Sequence, residues 1–67
     1  MAVARVTEIS ATSAQSFEDA IKQGLERANA TLRNVRSALI KEQQVRVEGG
    51  SISEYQVNML VTFVLDE

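Results

Sequence analysis

The sequence predicts an α+β fold: one helix packed on a three-stranded antiparallel sheet in the order β-α-β-β, with copies of the chain shielding one another. Three observations carry this. A single stretch repeats its apolar residues with helical period. The last third alternates apolar and polar residues with period two. Between that third and the extended run before it lies Gly49-Gly50, a strong hairpin signal. Residues 1–67 are read as one domain.

Residues 2–9 (AVARVTEI) are rich in β-branched types and form the first expected strand. The small polar cluster Ser10 to Ser13 suits a turn. A helix then runs from about Ala14 to Leu32, capped by Ser13, or alternatively by Ser16 with Asp19 three residues on. Phe17, Ile21, Gly24, Leu25, Ala28 and Leu32 fall on one stripe. Glu18 and Asp19 lie where negative charge suits the helix dipole, and Arg33 lies near its far end. Gly24 costs a helix about 0.5–1 kcal/mol relative to alanine, so a close approach to a strand is the expected compensation.

Residues 34–47 and 52–66 form the second and third expected strands, joined by Glu48-Gly49-Gly50-Ser51. In the last run Tyr55, Val57, Met59, Val61, Phe63 and Leu65 define the core face. Strict alternation then puts Val35, Leu39, Val45 and Val47 on the core face of the second strand. Ala38, Ile40, Leu60 and Val64 fall on the opposite face, which the helix does not cover.

At 67 residues a monomer is thinly stabilised. The chain has no cysteine and no histidine, so disulfides, thiolate zinc sites and imidazole chemistry are all excluded. Assembly with copies of itself is the stabiliser that remains, and it would cover the apolar residues of the second sheet face. A net charge of −2, with both signs scattered, argues against a nucleic-acid surface. No run of ~20 apolar residues suits a membrane, and no secretory signal is visible, so the chain reads as cytoplasmic. The absence of histidine, cysteine and any nucleophile–base pairing points away from an enzyme.

Several short segments carry a family likeness when taken together and in order. They are Val6-Thr7-Glu8, Thr12-Ser13-x-x-Ser16-Phe17-Glu18-x-Ala20-Ile21, Glu26-Arg27-Ala28 and Thr31-Leu32-Arg33-Asn34-Val35. Glu48-x-Gly50, Tyr55-Gln56-Val57 and Phe63-x-Leu65 complete the set. Through them the sequence resembles the dodecins over nearly its whole length. The resemblance implies a hollow homododecamer of tetrahedral symmetry with trimers as building blocks. It further implies a flavin such as FMN or riboflavin, stored or sequestered between subunits and not used in catalysis. In such proteins paired flavins stack between tryptophans of symmetry-related subunits, and a glutamine reads the polar edge of the ring.

Carried onto this chain, the resemblance assigns the stacking position to Ser37 and the reading glutamine to Gln56. An acidic position near the flavin falls on Glu42. Ser37 departs from the pattern: serine supplies neither stacking nor apolar area, and the chain contains no tryptophan. A glycine expected near Val45 is also missing, which narrows the space for a ligand. The leading expectation is therefore a flavin-binding shell with weakened or altered stacking. The alternatives are a flavin-free shell holding coenzyme A or calcium, or a purely structural oligomer with no ligand. No metal site is expected within one chain, because calcium wants six to eight oxygens and no local loop supplies them. Glu8, Glu42 and Glu54 would have to converge from several subunits.

Overall fold

The computed structural model of the chain describes residues 3–65. Four elements follow in the expected order: β1 (Ala4–Ser13), α1 (Phe17–Thr31), β2 (Val35–Glu48) and β3 (Ser51–Val64). The sheet order is β1-β3-β2, and both pairings are antiparallel. Ala2 and Asp66, assigned to strands from sequence, lie outside the described residues.

The expected turn at Ser10–Ser13 is not there. β1 continues through it, with Ser10 opposite Asn58 and Ser13 opposite Tyr55. Fourteen residues of β3 offer ladder partners along this whole length, and pairing overrides the local turn preference of small polar residues. The helix consequently starts later than expected. Ser16 is its cap, with the Asp19 backbone N–H donating to Ser16 Oγ at 3.0 Å. Ser13, the other candidate cap, is instead buried and donates to Asp19 Oδ2 at 2.6 Å. The helix ends at Thr31, before Leu32 and Arg33, and the chain turns into β2 at Asn34 with φ +59°. Asparagine tolerates this left-handed conformation better than most residues.

Gly49 and Gly50 close the β2–β3 hairpin with φ +57° and +81°. Positive φ at both central positions defines the tight turn whose twist matches the flanking strands. The long hairpin stretches the chain to 51 Å in a body only 19 by 13 Å across.

The core lies where α1 crosses β1 and β3. Ala20, Val57, Met59 and Val61 are fully buried, and Ile9, Ala11, Phe17, Ile21, Leu25, Val35 and Ala38 pack around them. Phe17 and Tyr55 meet edge-to-face with ring centroids 5.1 Å apart. Gly24 permits the close approach: a Cβ there would sit 2.6 Å from Met59 Cε and 3.1 Å from Ala11 Cβ.

β2 corrects the simple alternation. Its register slips between Val35 and Ser37 and again between Ile40 and Glu42. Each slip adds one unpaired residue, Arg36 and then Lys41, and so inverts the side-chain parity. Between the two bulges Ala38 pairs with Val61 and Ile40 with Met59, on the helix side. Leu39 pairs with Leu60 on the other side, contrary to expectation. Beyond the second bulge Val45 lies opposite Tyr55 in the expected parity, yet it stays 38% exposed. Every residue from Leu39 to Glu48 is exposed.

Candidate functional site

The face of the sheet turned away from α1 forms a grid whose rows follow from the strand register. One row holds Val6, Thr62 and Ser37, and the next holds Glu8, Leu60 and Leu39. The following rows hold Ser10, Asn58 and Glu42, then Thr12, Gln56 and Gln44. Rows on one face of a strand are two residues, or about 7 Å, apart.

The half of this face holding the first two rows carries the apolar side chains Val6, Leu60 and Leu39 beside Thr62, Ser37 and Glu8. Val6 is 58% exposed and Leu39 64%, with Ala4 and Val64 at the end of the β1–β3 ladder. Fully burying one such large aliphatic side chain is worth about 1.5–3 kcal/mol. On the helix side of the sheet, past a third register shift that leaves Ser53 of β3 unpaired, Val47 and Ile52 face each other near the hairpin tip and are 58% and 50% exposed. The small core of the chain leaves these side chains uncovered.

The other half is a continuous polar network. Asn58 Nδ2 donates to Glu42 Oε1 at 3.2 Å, and Gln56 Nε2 donates to Asn58 Oδ1 at 3.2 Å. Gln56 Nε2 also donates to Ser10 Oγ at 3.1 Å, while Gln44 Nε2 donates to Gln56 Oε1 at 3.1 Å. Gln56 stands at the centre, on the middle strand and only partly exposed. Between the two halves Lys41 Nζ and Glu8 Oε1, 3.3 Å apart, bridge the outer strands across β3. Both side chains are about half exposed, so this pair is worth at most about 1 kcal/mol. Arg46 Nε and Glu54 Oε1 lie 3.8 Å apart nearer the hairpin tip.

The three residues singled out from sequence therefore share one face but not one contact. Glu42 and Gln56 are joined through Asn58. Ser37, opposite Thr62, lies two rows from Glu42 and three from Gln56, or about 14 and 20 Å along the strands. Ser10, Gln44 and Asn58 complete the network and were not among the sequence candidates. Asn58 carried a signal, since Gln56-x-Asn58 in an alternating strand places both amides on one side. Gln44 faces the same way because the bulge at Lys41 sets the register opposite Gln56.

Among the described residues no group of three or more carboxylates is placed to hold a metal ion. Glu8, Glu42 and Glu54 each engage a different partner within the chain. A groove of about 530 Å³ runs along β1 beneath α1, lined by Ile9, Ala11, Arg27 and Leu32 among others. None of the three candidate residues borders it. No described helix is long and apolar enough to cross a membrane.

A family model described as Dodecin matches residues 3–66. The dodecin of Streptomyces davaonensis shares 38% identity at a TM-score of 0.94, covering 98% of this chain and 97% of its own. A variant of the Thermus thermophilus dodecin shares 34% identity at a TM-score of 0.95, covering 100% and 98%. The calcium dodecin of Mycobacterium tuberculosis, described as a calcium-chelating antigen with a novel calcium-binding site, shares 31% identity at a TM-score of 0.83. It covers 96% of this chain and 91% of its own. No curated protein matched the chain.

Proposed function

The chain belongs to the dodecin family, and on that premise we propose that it is one subunit of a hollow homododecamer, built from trimers, that stores or sequesters a flavin such as FMN or riboflavin. The whole of residues 1–67 acts as a single domain in this reading, in the cytoplasm and without catalysis. The observation that carries it is Gln56. It is the one residue that both matches the flavin-reading glutamine of the resemblance and sits at the hub of a polar network on the uncovered sheet face.

The spacing on that face fits a ligand held between copies better than one held by a single chain. A planar ring needs a stacking wall as well as polar partners, and here the stacking position Ser37 lies some 14–20 Å along the sheet from Glu42 and Gln56. Bringing the Ser37 end of one copy against the Gln56 end of another closes that gap. Removing Val6, Leu39 and Leu60 from water supplies the driving force for the same contact. Serine at position 37 leaves the ring without an aromatic partner there, so affinity is lower than stacking would give.

Calcium is the second reading, favoured by the likeness to a protein described as a calcium dodecin. Glu42 Oε2 and the oxygens of Gln56 and Gln44 are ligand types that calcium accepts, but six to eight oxygens require several copies to converge.

Titration of riboflavin or FMN into the assembled apo-protein tests the proposal through quenching of flavin fluorescence. Saturable quenching is expected. No quenching at tens of micromolar flavin would remove the flavin reading. A rise in melting temperature with calcium or coenzyme A but not with FMN would replace it with one of those ligands.

A further inference from the structure

The polar network has a direction. A carboxylate only accepts hydrogen bonds, whereas a primary amide has a donor end and an acceptor end. Glu42 therefore requires the Nδ2 end of Asn58, which it receives at 3.2 Å. Asn58 Oδ1 is then the end left to face Gln56, and it accepts from Gln56 Nε2. The second Nε2 proton of Gln56 goes to Ser10 Oγ. Gln56 Oε1 faces Gln44 and takes one bond from Gln44 Nε2. Both donors of Gln56 are consumed, and one lone pair on Oε1 remains.

We propose that Glu42 is a positioning residue that fixes the amide of Gln56 acceptor-outward, so that the site selects ligands bearing an N–H donor, the imide N–H of an isoalloxazine being the flavin case. This rests on the reading that Gln56 meets the ligand. In an open subunit such bonds are individually weak, because water competes for each group. Covering the face with another copy or a ligand excludes that water, and reversing the Gln56 amide then sets its Oε1 against Asn58 Oδ1, two acceptors with no proton between them. A single carboxylate at one end thus sets the polarity of a residue two hydrogen bonds away. Ser10 accepts the second proton, but its hydroxyl can donate as well, so the polarity is set by Glu42 alone.

The test compares riboflavin with 3-methylriboflavin, in which a methyl group replaces the imide proton. The wild-type assembly is expected to prefer riboflavin by about tenfold, the worth of one good hydrogen bond plus the cost of leaving its acceptor bare. Glu42→Gln keeps the shape but allows either polarity, and the preference should fall to about threefold or less. Adding Asn58→Asp moves the carboxylate one step along the relay, where it accepts directly from Gln56 Nε2. That double variant should recover the preference, a rescue that simple repair of packing would not produce. Sedimentation of each variant confirms that the compared particles are the same size.

A preference that survives Glu42→Gln, or that the double variant does not restore, overturns the role of Glu42. Equal binding of both flavins by the wild type overturns the acceptor-outward assignment while leaving flavin binding intact. Binding of neither flavin overturns this proposal together with the flavin reading beneath it.

Discussion

Gly24→Ala weighs two opposed effects at the closest helix–sheet contact. Alanine favours the helix over glycine by about 0.5–1 kcal/mol. Its Cβ would stand 2.6 Å from Met59 Cε, which must withdraw by about 1 Å to reach ordinary contact. The end of a methionine is flexible, but Met59 is fully buried among Val57, Val61 and Ala20 and has little room to move. Ala11 Cβ at 3.1 Å is anchored to the β1 backbone and must also give, by about half an ångström. Overpacking of this kind costs about 1–3 kcal/mol, so the substitution should be destabilising by a net amount of up to about 2.5 kcal/mol. In a Met59→Ala background the main obstruction is gone and only the Ala11 contact remains, so Gly24→Ala should then range from neutral to stabilising by about 1 kcal/mol. The cycle is read from guanidinium unfolding followed by far-UV circular dichroism, at one protomer concentration because assembly shifts the midpoint. A higher midpoint for Gly24→Ala with Met59 present, or the same effect in both backgrounds, would refute the packing argument.

Other perturbations address the turn, the ligand and the interface. Gly50→Ala forces a side chain into φ +81° and should lower stability by about 1 kcal/mol or more, seen in the same unfolding assay; a neutral result would mean the turn relaxes to another type. Ser37→Trp should raise flavin affinity several-fold, since aromatic stacking is worth about 0.5–1.5 kcal/mol beyond buried area, and unchanged affinity in fluorescence titration would place the ring elsewhere. Leu39→Glu puts a charge on the open face, opposite Leu60. It should shift the particle to smaller species in sedimentation while leaving the native far-UV spectrum, and full-sized particles would show that Leu39 is not at a subunit contact.

The order of elements was legible because each signal in the sequence is local. The helical stripe from Phe17 to Ala28, the alternation from Tyr55 to Phe63 and the two turn glycines report on their own neighbourhoods, and all three reappear. The faces of β2 were not legible, since a bulge is a property of the pairing and leaves no composition mark. Val35 and Val45 kept their expected parity because one bulge precedes and the other follows Ala38, Leu39 and Ile40, whose parity is inverted. The end of β1 failed for a related reason: a polar tetrapeptide that favours a turn in isolation was given ladder partners by β3. At the candidate site Gln56 and Glu42 were legible as residue types at family positions. Their connection through Asn58, and the participation of Gln44 and Ser10, follow from register across three strands.

Sedimentation equilibrium on the purified chain speaks most directly to the claim that sister subunits cover what α1 leaves open. A folded particle of about twelve 7.4 kDa chains is the expected result. A well-folded species with the mass of a single chain, its Val6 and Leu39 still facing water, would contradict the account at its root.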